Sequence, residues 1–396
     1  MSTASITVDE LLTRAVAEVI DKKHLREMLQ SGRKLRVKFG IDPTGREIHL
    51  GHAVPIRLLR RFQLLGHQVV FIVGDFTAMV GDPSGRTEAR PALTFEQTRE
   101  NAKTYFDQAF KVLDRESTEI HYNSEWFHDF DLKKTIHLLS HATVGQLMAH
   151  ETFRERLKNE QAFFAHEILY PLLQAYDSVA VKADVEVGGL DQKFNLLMGR
   201  SIQPEFDQPR QDVVLMEYLV GLDGKEKMSK TAGNYIAITD PAAEMYGKVM
   251  SIPDQEIVPY FRLTTDVTDE AIMLIEKELK SKNPRDIKKR LAKTIVETYY
   301  DAEHADLAEA IFKTKFQQTG PVVVDTEVSM GRGKHTSVDL VVASGLATSR
   351  SEARRKLEEG AVEKVGDKKL SVDETVTVSE EITLRLGKRF VRIVPT

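Results

Sequence analysis

The sequence of 396 residues contains no cysteine, and this absence excludes several kinds of chemistry. Disulfide bonds, zinc sites with thiolate ligands and a catalytic cysteine nucleophile are all impossible without this residue. Reducing conditions, such as those of the cytoplasm, are compatible with such a composition. Any catalysis must therefore rely on other side chains, on charge and on the positioning of substrates.

Long apolar runs and an excess of positive charge are also missing. No apolar stretch approaches the ~18 residues that a membrane-spanning helix needs, and the N-terminus lacks the basic and apolar segments of a signal peptide. The formal net charge is −5, so contact with nucleic acid has to come from local basic patches. Hydrophobic residues at 41% and charged residues at 29% describe an ordinary globular protein. The length predicts about two or three domains.

The stretch from Lys38 to His52 predicts a phosphate-binding site. An apolar strand ends in a turn at residues 42–45, and an apolar-periodic helix begins at the sequence His-Leu-Gly-His, residues 49–52. The N–H groups and the dipole at a helix N-terminus attract anions. Two imidazoles one turn apart can donate hydrogen bonds to phosphate oxygens. The alternative is two surface histidines in front of a helix.

A second motif, Lys-Met-Ser-Lys-Thr at residues 227–231, follows an Asp-Gly turn. Two lysines and two hydroxyl groups in a loop form a cation clamp for a polyphosphate. A solvated turn is the alternative, but the presence of both motifs in this order favours a nucleotide site. Together they resemble the HIGH and KMSKS signatures of class I aminoacyl-tRNA synthetases, written here as His-Leu-Gly-His and Lys-Met-Ser-Lys-Thr.

The region around the first motif predicts a βαβ unit. A β-branched run at residues 69–73 follows the helix, as expected of a parallel strand that is covered on both faces. Ligands in such sheets bind beyond the carboxyl ends of the strands. There the segment 74–86 places Thr77 and Asp82 beside the substrate and Arg86 near the phosphates. A long surface loop is the alternative for this segment.

The second half of the predicted sheet carries a polar helix face. Tyr170, Gln174 and Asp177 stand at positions i, i+4 and i+7 of one helix. Polar groups on an otherwise apolar helix are costly to bury without partners, so they indicate a ligand site unless this face is solvated. A strand at 185–187 then leads to Gly-Gly-Leu-Asp-Gln at 188–192, which suits a backbone pressed against a ribose.

The pattern Tyr-x-x-x-Gln-x-x-Asp with Gly-Gly-x-Asp-Gln is similar to that of tyrosyl-tRNA synthetases. The resemblance implies that Tyr170, Gln174 and Asp82 hold the ammonium group of tyrosine and that Asp177 accepts from the phenol. The remaining tyrosine-binding positions that it implies are Thr77, Asn123, Gln192 and Lys38. The implied catalytic residues are Thr44, His49, His52, Arg86, Lys227 and Lys230. The implied ATP-binding residues are Gly40, Asp42, Gly51, Gly189, Asp191, Met228, Ser229, Lys230 and Thr231.

Lys38 departs from the most familiar members of this family, which have a tyrosine at this position beside the phenol. Similarity at the other motifs is retained, so the chain looks like a second bacterial branch of the family. Because of this departure, the sequence does not decide which residue makes the second contact to the phenol.

The resemblance also implies an α/β fold with three parts. A Rossmann-like catalytic domain with a doubly wound parallel sheet would occupy residues 1–231, with an insertion at about 124–165 as the dimer contact. A helical anticodon-side domain would follow at 232–319, although a helical domain without a nucleic-acid role is an alternative. A linker at 320–334 would lead to an α+β domain at 335–396 that resembles αL-type RNA-binding domains. Its expected tRNA contacts are Arg350, Arg354, Arg355 and Lys388, unless these form only a solvated basic face.

The expected function is therefore that of a tyrosine–tRNA ligase. The resemblance implies ATP as a substrate with Mg²⁺ bound to the nucleotide, no protein-bound metal, tRNA(Tyr) as the partner and a cytoplasmic homodimer. Two other hypotheses remain open at this point. One is a synthetase for another aromatic amino acid, chiefly tryptophan, and the other is an RNA-binding paralogue that has lost catalysis. A nucleotidyltransferase could share His-x-Gly-His but would not explain the C-terminal domain.

Overall fold

The computed structural model describes residues 6–84, 93–162, 164–316, 324–365, 369–387 and 389–396. They fall into two compact units, Met1–Ala305 and Asp306–Thr396. The α-helices are α1 Val8–Leu11, α2 Lys22–Gln30, α3 Leu50–Leu64, α4 Thr77–Val80, α5 Phe95–Ala102, α6 Tyr105–Ala109, α7 Ser124–Phe127, α8 Leu132–Leu139, α9 Val144–Leu147, α10 Glu151–Lys158, α11 Tyr170–Ala180, α12 Lys193–Ile202, α13 Ala242–Met250, α14 Ile257–Thr264, α15 Asp269–Leu279, α16 Pro284–Tyr299, α17 Ala302–Phe316, α18 Ser337–Ala343 and α19 Arg350–Glu358. The strands are β1 Val16–Ile20, β2 Arg36–Ile41, β3 Gln68–Val73, β4 Thr118–Tyr122, β5 Val185–Gly189, β6 Asp212–Met216, β7 Thr326–Met330, β8 Gly333–Thr336, β9 Val362–Lys364, β10 Thr375–Val378, β11 Ile382–Leu386 and β12 Arg389–Pro395.

The first unit is built on a six-stranded sheet in the order β1-β6-β5-β2-β3-β4. Strands β2 to β6 are parallel to one another, and β1 pairs antiparallel with β6. Residues 69–73 of β3 are fully buried, as the β-branched run predicted for a strand covered on both faces. The predicted Rossmann-like doubly wound sheet is confirmed.

The strand order reverses between β2 and β5. From β2 the chain builds outward through β3 and β4, and β5 and β6 are added on the other side. Connections therefore leave β2 and β5 in opposite directions and open a crevice beyond their carboxyl ends. This switch point is where the ligand site is expected.

The pattern of the leading segment, residues 1 to about 34, predicts one or two helices with Asp9 as a possible N-cap, but the structure differs from this prediction. Residues 16–20 form β1, flanked by Ala15 and Asp21 with φ of 61° and 59°. The apolar residues of this segment fit a helical period, but pairing with β6 decides the local structure. Thr7, rather than the predicted Asp9, caps α1.

Helices α13 to α16 follow the six-stranded sheet in the same unit. The sequence predicts that Thr268 caps one helix and that Asn283-Pro284 starts another, and the structure confirms both starts. The side chain of Thr268 accepts from the backbone N–H of Ala271 at the start of α15. Asn283 caps α16, with Pro284 as its first residue. Proline at this position loses no helical hydrogen bond. Among the described residues, no helix has both the length and the apolar character needed to cross a membrane.

The second unit is an α+β arrangement, as expected. Its four-stranded sheet has the order β7-β12-β11-β9, and β8 pairs with β10. Helices α18 and α19 cover the sheet with a core that includes Leu340, Leu357 and Leu384. Strand β7 lies inside the stretch predicted as a linker, 320–334, and β8 begins there. Residues 317–323 lie outside the described residues, and the domain borders stay predictions.

Candidate active site

A cavity of about 910 Å³ lies at the carboxyl ends of the central strands of the first unit. Its walls come from the ends of β2, β3 and β5, from the start of α3, from α11 and from residues 226–232. The predicted site residues that line it are Gly40, Asp42, Thr44, His49, Gly51, His52, Thr77, Asp82, Tyr170, Gln174, Asp177, Gly189, Asp191, Gln192, Lys227, Met228, Ser229, Lys230 and Thr231. The structure therefore brings together residues from distant parts of the chain. Their individual roles stay predictions.

Asp42, just after β2, links the two halves of the cavity. Its Oδ1 accepts from the hydroxyl of Thr77 at 2.8 Å, and its Oδ2 accepts from the phenol of Tyr170 at 3.0 Å. A Cβ on Gly74 would lie 2.2 Å from Asp42 Oδ1 and 2.3 Å from Thr77 Oγ1. Glycine is therefore required at this position for the hydrogen bond to form.

Asp177 lies at the buried end of the cavity and is 4% exposed. Trp126 Nε1 donates to its Oδ1 at 2.9 Å, and Asn123 Nδ2 donates to its Oδ2 at 3.3 Å. Burial raises the pKa of this carboxyl to about 7, although Lys38 and the two hydrogen bonds act in the opposite direction. A carboxylate in such a place can select a ligand that carries a hydrogen-bond donor.

Asp82 and Gln192 form a second polar wall. Gln192 Nε2 donates to Asp82 Oδ2 at 2.7 Å, while the backbone N–H of Ser84 donates to Asp82 Oδ1 at 2.9 Å. Asn195 donates to both Ser84 Oγ and Gln192 Oε1. These bonds fix the orientation of the Asp82 carboxylate, which can then accept from a cationic group.

The first motif forms the N-terminus of α3. His49 caps the helix, and its Nδ1 accepts from the backbone N–H of His52 at 3.3 Å. The two rings stack with centroids 3.7 Å apart. Burial, with Lys230 and Lys227 nearby, lowers the pKa of His49 to about 3. The imidazole is therefore neutral at pH 7, and since Nδ1 is an acceptor, Nε2 carries the proton and can donate to an anion.

The segment that follows the second motif pairs with the first motif. The backbone N–H of Leu50 donates to the carbonyl of Ile236 at 2.9 Å, and His49 forms an isolated β-bridge with Ala237. Lys227 Nζ lies 2.6 Å from Asp191 Oδ2, and Lys230 Nζ lies 3.4 Å from the hydroxyl of Tyr105. The cavity thus has cationic groups on the side of the helix N-terminus, as a polyphosphate site requires.

Asn234 anchors the Lys-Met-Ser-Lys-Thr loop. Its Oδ1 accepts from the backbone N–H of Ser229 at 2.8 Å, and its Nδ2 donates to Asp223 at 2.7 Å. The side chain is 5% exposed. Asn234 therefore holds the loop in place, although Lys227 and Thr231 are exposed.

The structure does not bring every predicted residue to the cavity. Lys38 and Asn123 are fully buried behind its wall rather than in it. Arg86 and Lys388 lie outside the described residues. Arg350, Arg354 and Arg355 belong to the second unit, on α19, where their side chains are exposed.

Sequence reasoning missed several residues that shape the site, above all Trp126, Ser84, Asn234 and Glu186. Trp126 stands out in the sequence as the only tryptophan, and Ser84 lies inside the segment 74–86 that was predicted to line the site. Both signals could have pointed to the site. The sequence around Glu186 indicates only a β-strand and no function for this side chain. Nothing in the sequence around Asn234 indicates its role.

The chain matches the family model for class I tRNA synthetases (W and Y) over residues 30–317. Among curated relatives, the tyrosine–tRNA ligase of Thermotoga maritima is 47% identical over 387 residues, which cover 97% of this chain and 96% of that protein. The tyrosine–tRNA ligase of Dehalococcoides mccartyi strain CBDB1 is 46% identical over 393 residues, which cover 98% of each.

Solved structures show the same fold. The tyrosyl-tRNA synthetase of Archaeoglobus fulgidus, complexed with L-tyrosine, matches with a TM-score of 0.62 and 25% identity, covering 75% of this chain and 97% of that one. A C-terminally truncated mitochondrial tyrosyl-tRNA synthetase from Aspergillus nidulans matches with a TM-score of 0.65 at 20% identity, over 78% and 93% of the two chains.

Proposed function

The chain belongs to the tyrosine–tRNA ligases of class I, and we propose that the cavity of its first unit carries out amino-acid activation. The overall reaction has two steps. Tyrosine and ATP give tyrosyl-adenylate and pyrophosphate, and the tyrosyl group then passes to the 3′-terminal adenosine of tRNA(Tyr). The observation that supports the assignment of the site is the convergence of both signature motifs and the Tyr170–Asp177 helix face on one cavity.

Tyrosine lies, in this proposal, between Asp82 and Asp177. The carboxylate of Asp82, together with Tyr170 and Gln174, accepts from the substrate ammonium group. The phenol donates to Asp177 at the buried end. Binding both polar ends of the amino acid fixes its carboxylate at the open side, next to the nucleotide.

ATP occupies the side that is formed by the two motifs. Its ribose lies against Gly189 and Asp191, where a Cβ on Gly189 would approach Asp191 Oδ1 to 2.5 Å. Its phosphates lie at the N-terminus of α3, between the histidines and the lysines. In the Lys227–Asp191 pair, the lysine exchanges its carboxylate partner for a phosphate when ATP binds.

The first step needs no general base. The tyrosine carboxylate is already ionised at neutral pH and attacks the α-phosphorus in line, forming the acyl–phosphate bond as the bond to pyrophosphate breaks. His49 Nε2–H, His52 and Lys230 donate to the oxygens on which negative charge develops. In the second step a ribose hydroxyl of the terminal adenosine attacks the acyl carbon, and AMP leaves.

Mg²⁺ would enter with ATP as part of the substrate. Within the described residues, the one group of three potential metal ligands consists of Asp21, His24 and Asp212, none of which lines the cavity. Carboxylates in the cavity are engaged instead, as Asp191 is with Lys227. The magnesium ion would neutralise charge on the phosphates, and the protein residues bind and orient the remaining parts of the substrates.

ATP–pyrophosphate exchange with each of the twenty amino acids tests this assignment. Tyrosine alone should support rapid exchange, and charging of a tRNA mixture with labelled tyrosine should follow. Exchange that depends on tryptophan instead would assign the other specificity of the family, since an indole N–H can also donate to Asp177. Absence of exchange with any amino acid would contradict a catalytic role.

We also propose that the protein acts in the cytoplasm as a homodimer through the insertion at about 124–165. Several large apolar side chains of this stretch are exposed, among them Leu132 at 74%, Val144 at 75% and Ile136 at 58%. A second copy that covered them would remove this apolar area from water. Analytical ultracentrifugation should give a dimer for the wild type and a monomer for Ile136→Glu. A monomeric wild type would contradict the proposal.

The exposed arginines of α19 are the proposed tRNA contacts. Arg350 pairs with Asp339 and Arg355 with Glu359, the latter at 3.9 Å. Such exposed pairs contribute little to stability and can be exchanged for phosphate contacts. Lys388, which lies outside the described residues, is included in this proposal on the family resemblance alone.

A further inference from the structure

A fully buried ion pair lies at the wall of the cavity that carries the proposed tyrosine ligands, with Glu186 in the lining and Lys38 behind it. Lys38 on β2 is 0% exposed, Glu186 on β5 is 1% exposed, and Nζ lies 2.8 Å from Oε1. Removing two charges from water is costly, and an apolar pair of similar volume is often as stable. Stability alone therefore does not explain the pair.

Lys38 uses its ammonium group to hold α11. Besides Glu186, Nζ donates to the backbone carbonyl of Gln174 at 3.0 Å and to the hydroxyl of Ser178 at 2.8 Å. Three acceptors match the three N–H donors of a lysine. Lys38 is therefore engaged with the protein and ties β2 to the helix at the residue in the middle of the Tyr170–Asp177 face.

Glu186 completes the network from β5. Its Oε2 accepts from Ser178 Oγ at 3.0 Å and from the side-chain amide of Gln211, while Gln174 Nε2 lies 3.5 Å from its Oε1. Gln174 lines the cavity, and with its Nε2 directed at Glu186, the amide oxygen is the atom of this side chain that remains to accept from a ligand. This orientation suits a group that has to accept from an ammonium ion.

We propose that Lys38 and Glu186 are positioning residues for the amino acid: they fix α11 against the sheet and orient the Gln174 amide so that its oxygen accepts from the substrate ammonium. The inference rests on the proposed function of the cavity. In this inference Lys38 does not touch the phenol of the substrate. It contacts Gln174 and acts on the substrate through that residue.

The two charges also balance each other next to Asp177. Lys38 lowers the pKa of the Asp177 carboxyl, and Glu186 raises it. Loss of the lysine alone leaves two carboxylates close together in a buried place, whereas loss of both charges restores the balance. The single variants should therefore be more impaired than the double variant.

The test compares Lys38→Met, Glu186→Gln and the double variant with the wild type in tyrosine-dependent ATP–pyrophosphate exchange. Lys38→Met should raise the KM for tyrosine at least about tenfold while kcat and the KM for ATP stay within about threefold, because binding rather than the chemical step is affected. The double variant should regain part of the lost affinity. Equilibrium dialysis with labelled tyrosine measures the same change without ATP.

Ser178→Ala provides a variant without a change of charge, in case Lys38→Met does not fold. It removes one acceptor of Lys38 and one donor to Glu186 and should raise the KM for tyrosine about two- to fivefold. Arg36→Met is the matched control. Arg36 lies on the same strand and donates to the carbonyl of Val181 at the far end of α11, at 2.8 Å. It should lower the melting temperature and leave the KM for tyrosine within about twofold.

An unchanged KM for tyrosine in Ser178→Ala and in the folded Lys38→Met variant would overturn the inference and leave the proposed function intact. Equal increases of KM in Arg36→Met and Lys38→Met would also overturn it, because the effect would then come from general loosening of the helix. A wild type without tyrosine-dependent exchange would instead contradict the proposed function.

Discussion

Asp177 is the residue whose surroundings bear most directly on the choice of amino acid. Its carboxylate is buried, and Trp126 and Asn123 already donate one hydrogen bond to each oxygen. An analogue of tyrosine without the hydroxyl adds no donor and leaves the buried carboxylate less well paired, a discrimination known in this enzyme class. Asp177→Asn should therefore reduce the preference for tyrosine over phenylalanine in ATP–pyrophosphate exchange. Wild-type selectivity in this variant would mean that the phenol lies elsewhere.

The raised pKa of Asp177 predicts a pH dependence of tyrosine use. In the proposed binding mode the phenol donates to the ionised carboxylate, and this form of the free enzyme is lost as the pH falls through about 7. Thus kcat/KM for tyrosine should rise between about pH 6 and about pH 8. Steady-state exchange across this range checks the expectation, and Asp177→Asn should flatten the profile. A profile that is already flat in the wild type would contradict it.

Lys230→Ala should leave tyrosine binding nearly intact and slow adenylate formation. Lys230 lines the cavity, on the side where the proposed mechanism has charge develop on the departing pyrophosphate. Loss of one such donor costs roughly 10²–10³ in rate. Rapid-quench measurement of the first turnover gives the rate, and equilibrium dialysis gives the tyrosine affinity. An unchanged rate would remove the loop from the mechanism.

Individual site residues were predictable where the chemistry requires a particular residue type at a fixed spacing. His49, Gly51 and His52 are examples, because their spacing in front of an apolar-periodic segment predicted a helix N-terminus, and all three line the cavity there, while their roles stay predictions. Partners that act through a second side chain were not predictable. The hydrogen bond from Trp126 to Asp177 joins residues 51 positions apart, and only the fold brings them together.

At the scale of elements, the loop of residues 227–231 depends on Asn234 for its position. Asn234→Ala removes the acceptor for the backbone N–H of Ser229 and the donor to Asp223. We expect adenylate formation to slow about tenfold, because displaced lysines stabilise the transition state less well. Tyrosine affinity should stay within about twofold. Single-turnover kinetics and equilibrium dialysis measure the two quantities.

Asn283→Ala is the matched control for this prediction. Asn283 caps α16 and accepts from the backbone N–H of Arg285 at 3.0 Å, and it does not line the cavity. Its loss should cost about 1 kcal/mol of stability and should change neither the rate of adenylate formation nor the affinity for tyrosine. Equal slowing in both variants would indicate destabilisation rather than loss of loop position.

The elements themselves were predictable to the extent that local signals decide them. Capping residues gave the starts of α15 and α16, and the β-branched run gave β3. Strand β1 was missed because its apolar residues also fit a helix, and its pairing partner, β6, comes about two hundred residues later in the chain. Long-range pairing of this kind leaves no local trace in the sequence.

At the scale of the whole molecule, the catalytic cavity and the proposed tRNA-binding arginines belong to different units. Every described residue of the cavity lies before residue 233, while α19 belongs to the unit Asp306–Thr396. The second unit has its own buried core, as an independently folding domain requires. The two half-reactions should therefore respond differently to loss of the second unit.

A chain that ends after residue 316 should form tyrosyl-adenylate at the wild-type rate and charge tRNA poorly. Ending there leaves α17 complete and removes β7 together with its partner β12. ATP–pyrophosphate exchange measures the first step, and charging kinetics with tRNA(Tyr) measure the second. Circular dichroism confirms that the shortened chain folds.

The salt dependence of tRNA binding distinguishes direct contacts between the second unit and tRNA from an indirect effect of truncation. Each phosphate contact contributes about one unit to the slope of log K against log salt concentration. Full-length protein should therefore lose tRNA affinity faster with salt than the shortened chain. A full-length variant with Arg350→Gln, Arg354→Gln and Arg355→Gln should fall between the two, because it keeps the unit and loses the proposed contacts. If this variant binds tRNA with the wild-type slope, the arginines of α19 are only a solvated face, and the second unit holds tRNA through other residues.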